Sequence, residues 1–574
     1  MSKKVLIVGG VAGGASAAAR VRRLDESAQI IMFEKGPHVS FSNCSLPYHL
    51  SGIVPEADWL VLVDPETFKV KYNIEARVNN EVIAIDRQAK SVTVKNVLTG
   101  ETYDETYDKL VLSPGANPIV PNIEGARNEN VFMVRNVVDI DKLNKFLKKD
   151  SISDDNNRKN NISDVVVIGG GFIGLEVAEN LRKVGYNITL VEAADQVLAP
   201  FDYDMVQMVH KALVDHGVNL IVGDGIAKVL PEAIELASGK QVPAQAVVMA
   251  IGVRPETSLA VAAGLEIGKT GGIKVDHNYV TSDPDIYAVG DAIEVFHRLL
   301  HTPTRLALAG PAIRQARAAA DHMYGKPHQN KGVIGSSVVE VFDMNFASTG
   351  LTVKAAERAG IPVDSVYVMP GDKVGLMPDV NVMHFKLVYE VPTGRILGAQ
   401  AAGKGNVDKR VDVIATLVTL GGTVDDLKEL ELCYAPPFGT GRDVVNIAAL
   451  VAINTLNGDF AEVKVTQARE LVESGAFIVD VREPGEFRHG HLNNAVNIPL
   501  SQLRDRVSEI PRDVPVYVHC RSSARSYNAY RVLQGLGYTH VKNIQGSFLG
   551  ICLYEYFNDL ATGRTPIVTK YNFN

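Results

Sequence analysis

Two cysteines lie in sequence surroundings that could support sulfur chemistry, and the first is Cys44. It lies in the polar run 40–48, and the Leu-Pro pair that follows predicts the start of a helix. Backbone N–H groups at a helix start would face the sulfur and favour the nucleophilic thiolate. Because no second cysteine lies nearby, Cys44 could be oxidised only to a mixed disulfide, a persulfide or a sulfenic acid. A buried, inert cysteine is the alternative.

The second cysteine is Cys520, which follows a predicted strand at 516–519 and opens the loop 520–525 before a predicted helix. Backbone N–H groups in such a loop, closed by Arg525, would form an anion-binding nest around a thiolate. Cysteine phosphatases have a similar loop that is one residue longer, so the shorter spacing here favours a persulfide sulfur over phosphate. We interpret Cys433 and Cys552 as structural.

The composition is that of an ordinary soluble globular protein and does not favour a nucleic-acid or membrane protein. The chain has 574 residues with 58 basic and 66 acidic side chains, and its net charge of -8 offers no general attraction to nucleic acid or to an acidic membrane surface. No apolar run approaches the ~20 residues of a membrane helix. The four cysteines include no Cys-x-x-Cys pair, which argues against both a disulfide framework and a metal site. We therefore expect a cytoplasmic location and no bound metal.

A complete Gly-x-Gly-x-x-Gly turn at 169–174 lies between a predicted strand at 165–168 and a helix that ends at Lys183. Its glycines would let the backbone approach a pyrophosphate at the helix N-terminus, and Glu192 at the end of the next strand, 187–191, would accept a hydrogen bond from a ribose hydroxyl. Ala193, Ala194 and Asp195 supply no positive charge for a 2'-phosphate, so NADH is favoured over NADPH. The predicted nicotinamide-cofactor contacts are Gly169, Gly171, Phe172, Ile173, Gly174 and Glu192.

A similar unit opens the chain, with a strand at 4–8, a turn at 9–14, a helix at 15–24 and a strand at 29–33 that leads to Glu34. This turn lacks glycine at its third position, and alone it could be a simple strand-to-helix connection. Glu34 supports a second dinucleotide site because it stands where a ribose would be held. Asp291, which ends a buried segment at 283–292, is a candidate contact for a flavin's sugar chain or a helix N-cap.

The first predicted helix also carries a basic face. Ser16, Arg20 and Arg23 are spaced so that they share one side of the helix. Two guanidiniums there could clamp the phosphates of coenzyme A. A solvated basic face is the alternative interpretation.

Residues 1 to about 455 resemble the pyridine nucleotide-disulfide oxidoreductase family, in particular its single-cysteine coenzyme A-disulfide and persulfide reductases. The segments that carry the resemblance are 9–14, 40–48, 113–116, 169–174, 281–292 and 434–437. The resemblance implies FAD as the flavin, Cys44 as the redox nucleophile beside its ring, and a homodimer in which Tyr434 reaches the partner's active site.

The same resemblance supplies the remaining expected contacts. For FAD they are Gly9, Gly10, Val11, Ala12, Gly14, Glu34, Lys35, Asn43, Ser113, Gly115, Asp291 and Ala309. Gly252 is added for NADH, and the coenzyme A set is Ser16, Arg20, Arg23, Ser40, Asn43, Lys71 and Arg442. The C-terminal part resembles single-domain rhodaneses through 479–482, 490–491, 497–499 and 520–525, which implies that Cys520 carries sulfane sulfur and that Arg525 assists it.

Two positions depart from the resembled pattern. Leu376, Met377, Pro378 and Asp379 stand where the disulfide reductases carry a Tyr-Tyr-Pro-Gly segment, so one proton-donating tyrosine is missing. Ser45 follows the redox cysteine where many relatives have glycine. Both departures argue against efficient reduction of the symmetric coenzyme A disulfide.

The predicted fold class is therefore α/β, with two Rossmann-like domains, an α+β dimerisation domain and a C-terminal rhodanese-like α/β domain. The predicted boundaries are 1–120 with 281–330 for FAD, 121–280 for NADH, 331–457 for dimerisation and 462–562 for the rhodanese-like domain, with a polar linker at 151–163.

The predicted activity is reduction of persulfide, polysulfide or disulfide bonds of coenzyme A through Cys44, with NADH as electron donor. One alternative is an NADH oxidase or peroxidase that uses a sulfenic acid on Cys44. Peroxidase relatives resemble one another in having a histidine in the first glycine turn, and residues 9–14 contain none. The other alternative is a redox-sensing interaction protein.

Overall fold

The computed structural model describes residues 3–148 and 162–573, so the predicted linker at 151–163 lies outside the described residues except for its last two. The chain divides into two compact units. The first consists of residues up to 195 together with 221–333, and the second of residues 196–220 together with 334 to the C-terminus. Within the described ranges, no helix combines the length and apolar character that crossing a membrane requires.

The N-terminal part of the first unit confirms the predicted strand-helix-strand motif. Its elements are β1 (Lys4–Val8), α1 (Ala12–Leu24), β2 (Gln29–Glu34), α2 (Leu46–Leu50), α3 (Pro65–Tyr72), β3 (Glu75–Val78), β4 (Asn80–Asp86), β5 (Ser91–Asn96), β6 (Thr102–Thr106), β7 (Lys109–Leu112) and β8 (Ala116–Pro118). Helix α1 begins three residues earlier than predicted because Gly13 and Gly14 already belong to its first turn. The turn therefore leads directly into the helix, as a phosphate site requires.

The rest of the first unit repeats this plan. Its elements are β9 (Val131–Met133), α4 (Val137–Lys148), β10 (Asp164–Ile168), α5 (Phe172–Lys183), β11 (Asn187–Glu192), then, after α6 (Tyr203–Asp215), β12 (Asn219–Val222), β13 (Ile226–Val229), β14 (Ala233–Leu236), β15 (Gln241–Pro243), β16 (Ala246–Met249), β17 (Val253–Pro255), α7 (Ser258–Ala262), β18 (Ile286–Ala288), β19 (Val295–His297), β20 (Thr302–Thr304) and α8 (Ala309–Met323).

Two five-stranded sheets organise these elements. The first has the order β18-β7-β1-β2-β3 and the second β12-β11-β10-β16-β9. Strand β1 lies between two parallel neighbours, and its residues from Val5 to Val8 are buried. Continuous apolar runs such as this one are typical of parallel strands covered on both faces. Both glycine turns therefore follow central strands at the carboxyl edge of a sheet, where dinucleotides bind in this kind of fold.

The domain to which helix α6 belongs differs from the prediction. Residues 196–220 lie inside the segment predicted for NADH binding, but they belong to the second unit. Lys386, in the second unit, lies 3.1 Å from Asp202 and 2.8 Å from Asp204, and all three side chains are buried. Tyr203 donates a 2.6 Å hydrogen bond to Asn558 near the C-terminus. A buried ammonium must remain paired with its carboxylates, so these contacts hold α6 in the second unit.

The second unit contains two further sheets. Its elements after α6 are β21 (Ser336–Val341), β22 (Met344–Gly350), α9 (Val353–Arg358), β23 (Val363–Val368), β24 (His384–Glu390), β25 (Ile396–Gly403), α10 (Val407–Leu420), α11 (Val424–Lys428), α12 (Val444–Leu456), β26 (Glu462–Val463), α13 (Ala468–Glu473), β27 (Phe477–Asp480), α14 (Pro484–Arg488), β28 (Val496–Asn497), β29 (Val516–His519), α15 (Ala524–Gly535), β30 (Val541–Ile544) and α16 (Ser547–Thr562). The antiparallel sheet β21-β22-β25-β24-β23 precedes the parallel sheet β26-β30-β29-β27-β28.

These two sheets are joined within the second unit by direct polar contacts. Gln545 donates a 3.0 Å hydrogen bond to the carbonyl oxygen of Ser365, and Lys464 donates one of 2.6 Å to Asp364. The turn that precedes α16 is therefore fixed against β23.

Candidate active sites

Cys44 lies in a 3-10 turn, Asn43–Ser45, that leads directly into α2 with Pro47 in its first turn. The predicted helix start is therefore confirmed. The Cys44 side chain is exposed, and Ser42 and Ser45 on either side of it share a 2.7 Å hydrogen bond. Ser45 thus has a local partner at the position where relatives carry glycine.

The prediction that this helix start favours the Cys44 thiolate is wrong, because the surrounding protein groups favour the protonated thiol. Partial desolvation raises the pKa of the Cys44 thiol, and the charges of Glu176 and Asp291 raise it further. Helix α2 has only five residues, and so short a helix supplies little of the positive N-terminal field on which the prediction relied. Desolvation and the charges of the two carboxylates outweigh it.

Helix α2 is attached to α5, the helix that begins at the second glycine turn. Ser51 donates a 2.6 Å hydrogen bond to Asn180, and the Tyr48 hydroxyl lies 3.4 Å from Glu176. Burial raises the pKa of Glu176 to about 7. The loop that carries Cys44 is therefore held against the predicted NADH-binding helix, with a titratable carboxyl between them. Sequence reasoning missed Glu176 because it considered acids only at strand ends.

The acids at the two strand ends make equivalent contacts with the main chain. Glu34 accepts hydrogen bonds from the N–H groups of Gly10 at 3.0 Å and Gly36 at 2.9 Å. Glu192 accepts them from Gly170 at 2.7 Å and Ala194 at 2.8 Å. Each carboxylate fixes its glycine turn and still has lone pairs for ribose hydroxyls. The repeated geometry fits two dinucleotides.

The turns themselves also fit a close pyrophosphate. Gly9 has a φ of +94°, and a Cβ there would overlap the carbonyl oxygen of Ser113. Around Gly171 the described residues leave a Cβ-sized space with no atom within 4 Å, which is room for a phosphate. Val11, at the position where the first turn lacks glycine, has a φ of -105° that valine adopts without strain. The missing glycine therefore does not argue against a nucleotide there.

A cavity of about 530 Å³ in the first unit adjoins the predicted flavin contacts, and its lining includes Ala116, Asp291 and Thr270. The Thr270 hydroxyl is buried and has no hydrogen-bond partner among the described residues. Burial raises the pKa of Asp291, and Arg135 partly opposes that rise. Gly115 lies beside Arg135, and Ala309 begins α8. An unsatisfied hydroxyl and a carboxyl in one cavity fit a polar ligand.

Of the two arginines predicted to bind coenzyme A from α1, one is already engaged in an ion pair. Arg20 donates a 2.7 Å hydrogen bond from Nε to Asp321 on α8 and is paired with it, whereas Arg23 is exposed. Arg22, which was not predicted, is buried and donates to main-chain carbonyls, including those of Ala28 and Asn73. Binding by both Arg20 and Arg23 would therefore require Arg20 to leave or share Asp321.

The other predicted contacts lie in different parts of the chain. Ser40 has a φ of +47° and donates its N–H to the carbonyl oxygen of Gly10, while Lys35 and Lys71 are exposed. Tyr434 and Arg442 belong to the second unit, and both are exposed there. The predicted roles of all these residues stay predictions.

At the second cysteine, Arg525 is already paired. Its guanidinium donates two hydrogen bonds to Glu486, of 2.6 and 2.7 Å, and this carboxylate raises the pKa of Arg525. Cys520 is only 1% exposed. Arg525 thus stabilises the loop as half of an ion pair rather than as a free positive charge. Glu486 was not predicted, since nothing in its own sequence surroundings marks it as the partner of Arg525.

A second ion pair belongs to the segment 479–482, one of the segments that resemble rhodaneses. Arg482 donates a 2.6 Å hydrogen bond to Asp480, and both side chains are buried. The guanidinium of Arg521, next to Cys520, makes no hydrogen bond or ion pair with the described residues, and burial lowers its pKa. Cys552 is fully buried, and burial raises its pKa to about 11, in keeping with a structural role.

Comparison with known families agrees with this geometry. Residues 3–321 match the model of pyridine nucleotide-disulphide oxidoreductases, residues 336–443 match the dimerisation domain of that group, and residues 464–553 match the rhodanese-like domain. The chain therefore belongs to the pyridine nucleotide-disulphide oxidoreductase family and carries a rhodanese-like domain at its C-terminal end. The dimerisation domain supports a homodimer.

Particular relatives narrow the class. Coenzyme A disulfide reductase from Staphylococcus aureus is 34% identical over 445 residues, which cover 77% of this chain and 98% of that protein. A crystal structure of reduced CoADR-RHD from Bacillus anthracis is 42% identical with a TM-score of 0.92, covering 97% of this chain and 99% of that one. An NAD-dependent persulfide reductase from A. fulgidus is 34% identical with a TM-score of 0.89, covering 95% and 99%.

Proposed function

We propose that this protein is an FAD-dependent enzyme that uses NADH to reduce persulfide and disulfide bonds of coenzyme A through Cys44. The observation that carries the proposal is the attachment of the Cys44 loop to the helix of the second glycine turn, through Ser51 and Asn180. That attachment supports electron transfer between a nicotinamide bound at the second glycine turn and a redox-capable thiol in the same unit. Relatives named as a coenzyme A disulfide reductase and a persulfide reductase support the substrate class.

Residues of the first unit would hold both nucleotides. Glu34 and Asp291 would bind the sugar chain of FAD, with the turn from Gly9 to Gly14 around its pyrophosphate. Glu192 and the turn at 169–174 would bind NADH, with Gly252 nearby in sequence to the cavity-lining Val253. When bound, FAD passes two electrons from NADH to the oxidised form of Cys44.

The chemistry of Cys44 follows from thiol exchange. The Cys44 thiolate attacks the sulfane sulfur of coenzyme A persulfide, the sulfur-sulfur bond breaks, and coenzyme A leaves as its thiolate. The resulting Cys44 persulfide takes up two electrons and a proton, releases hydrosulfide and restores the thiol. Because partial desolvation and the charges of Glu176 and Asp291 raise the pKa of Cys44, the thiol must first release its proton to water to form the attacking thiolate.

The rhodanese-like domain would load the substrate. In this proposal Cys520 accepts sulfane sulfur as a persulfide and exchanges it with coenzyme A, while the pair of Arg525 and Glu486 keeps the loop closed. The proposed contacts for coenzyme A are Ser16, Arg23, Ser40, Asn43 and Lys71.

The quaternary part of the proposal is a homodimer in which Tyr434 and Arg442 of one copy reach the Cys44 site of the other. Tyr434 is 53% exposed, so its hydroxyl is free to serve a second subunit. We also propose the domain boundaries given above, except that residues 196–220 belong to the second unit, and a cytoplasmic location, where the four thiols would remain reduced.

Replacing Cys44→Ser tests the assignment directly. We expect the variant to retain FAD, which its visible absorbance would show. Its rate of NADH-driven sulfide release from coenzyme A persulfide should fall at least ~100-fold, since serine cannot form the persulfide. Cys433→Ser, which changes another exposed cysteine, serves as the control and should keep wild-type turnover. Equal turnover in all three proteins would refute the role of Cys44.

A further inference from the structure

Two serine hydroxyls lie near the sulfur of Cys520, and a third contacts one of them. Ser526 Oγ lies 3.6 Å from Cys520 Sγ, and Ser547 Oγ lies 4.0 Å from it. Ser547 Oγ also accepts a 3.2 Å hydrogen bond from the backbone N–H of Cys520 and lies 3.2 Å from Ser523 Oγ. Ser526 and Ser547 are fully buried, so these hydroxyls interact with the sulfur out of contact with bulk water.

Ser547 occupies this position at a conformational cost. Its φ is +49°, a left-handed conformation that is unfavourable for a residue with a Cβ. It follows Gly546, against which the ring of Tyr367 packs so closely that a Cβ on Gly546 would lie 3.1 Å from the ring. Glycine would relieve the strain at residue 547, so the strain implies that the serine hydroxyl itself has a use.

The hydrogen of each hydroxyl can be assigned from its acceptors. Ser526 Oγ lies 2.6 Å from Asn543 Oδ1, by far its shortest contact, so its hydrogen goes to the amide. Asn543 in turn donates a 2.7 Å hydrogen bond to Glu462, which fixes the orientation of that amide. Among the described residues, the Ser547 hydrogen has only weak acceptors, namely Ser523 Oγ at 3.2 Å, Ser526 Oγ at 3.4 Å and Cys520 Sγ at 4.0 Å.

We propose that the Ser547 hydroxyl is a further catalytic group, which turns its hydrogen to Cys520 when the sulfur becomes negative. This inference deepens the proposed sulfur-carrying role of Cys520 and rests on it. The Cys520 thiolate attacks the sulfane sulfur of a donor persulfide, RS–SH, the bond to RS breaks, and RS leaves as a thiolate. The Cys520 persulfide that forms loses its proton to water, and the resulting anion takes the hydrogen bond from Ser547. Hydrogen bonds to anions are about twice as strong as neutral ones.

A comparison of Ser547→Gly with Ser547→Ala separates the effect of the hydroxyl from the effect of the backbone strain. Glycine removes both the hydroxyl and the strain at φ +49°, whereas alanine removes the hydroxyl and keeps the strain. Ser474→Ala, an exposed serine of the same domain that bonds only locally to Leu471, is the control. The full-length FAD-loaded proteins are treated with glutathione persulfide, and the persulfide on the Cys520 peptide is followed over time by alkylation and mass spectrometry.

Both variants should lose the Cys520 persulfide about tenfold faster than the wild type, as expected for loss of one hydrogen bond to an anion. Both variants lose the hydrogen bond to the Cys520 N–H, but only Ser547→Gly also relieves the backbone strain, so Ser547→Gly should melt at a higher temperature than Ser547→Ala. Equally fast persulfide loss in two variants of different Tm could not be attributed to unfolding. Wild-type persulfide lifetimes in both variants would overturn the role of Ser547. Absence of persulfide on Cys520 in the wild type itself would instead overturn the proposed sulfur carrier.

Discussion

Ser51 and Asn180 are joined by a 2.6 Å hydrogen bond that links the helix after Cys44 to the helix after the second glycine turn. Asn180 is fully buried, so its amide oxygen has no access to water if this bond is lost. A short loop that carries a reactive thiol is thereby held at a fixed distance from the predicted nicotinamide site.

Removing this bond should slow electron delivery without removing the flavin. We expect Ser51→Ala to lower kcat for NADH oxidation about threefold to tenfold, because small displacements of reacting groups reduce rates by such factors or more. Stopped-flow flavin reduction and FAD content provide the measurement. Ser27→Ala, which removes an exposed bond to Asp25, should change neither. Full activity in Ser51→Ala would show that the attachment is not needed.

Glu176→Gln should make Cys44 more acidic. The negative charge of Glu176 contributes to the raised pKa of Cys44, so its removal favours the thiolate. We expect the rate of Cys44 alkylation by iodoacetamide, measured against pH, to reach its midpoint at lower pH in this variant. Glu66→Gln, at an exposed position on α3, is the matched control. An unchanged profile would mean that the two groups do not interact.

The pair of Arg525 and Glu486 should control how Cys520 responds to charged reagents. Glu486→Gln removes the carboxylate that neutralises the guanidinium. We expect the ratio of Cys520 alkylation by anionic iodoacetate to that by neutral iodoacetamide to rise by about threefold or more. Glu483→Gln, three residues earlier in the chain, is the control. A fall in the ratio would indicate that Glu486 does not neutralise Arg525.

Glu462 should make the stability of the protein depend on pH. Burial raises the pKa of this carboxyl from 4.5 to about 7. Because the folded-state pKa is the higher one, the folded state is favoured at low pH and loses stability as pH rises from about 4.5 to about 7. Glu462→Gln should remove this loss, on the order of 2 kcal/mol after allowance for partial solvent access. Tm at pH 5 and at pH 8 would measure it. A variant that gains no stability relative to the wild type at pH 8 would contradict the assignment.

Much of the fold could be predicted from the sequence because its signals are local. The two glycine turns, the acids at Glu34 and Glu192 and the helix start after Cys44 all depend on residues close together in the chain. The placement of α6 could not be predicted, because apolar periodicity indicates a helix but not the sheet against which it packs. Its position depends on the contacts of Asp202 and Asp204 with Lys386, which is distant in sequence.

The sites were predictable to a similar extent. Cys44 and Cys520 have recognisable sequence surroundings, whereas Glu176, Glu486 and Ser547 act through contacts made only in the folded chain. The ionisation of Cys44 was predicted wrongly for the same reason, since the carboxylates that raise its pKa come from distant segments. Arg20 is a further example, because its partner Asp321 lies on the last helix of the first unit.

The most direct test of the account is anaerobic NADH oxidation by the FAD-loaded protein, with coenzyme A persulfide and coenzyme A disulfide compared in parallel and sulfide release recorded. Because Leu376 stands where a proton-donating tyrosine occurs in the resembled enzymes, the account predicts rapid turnover and stoichiometric sulfide with the persulfide and slow turnover with the disulfide. Failure with both substrates, together with rapid consumption of oxygen or peroxide, would contradict the account and identify an oxidase or peroxidase instead.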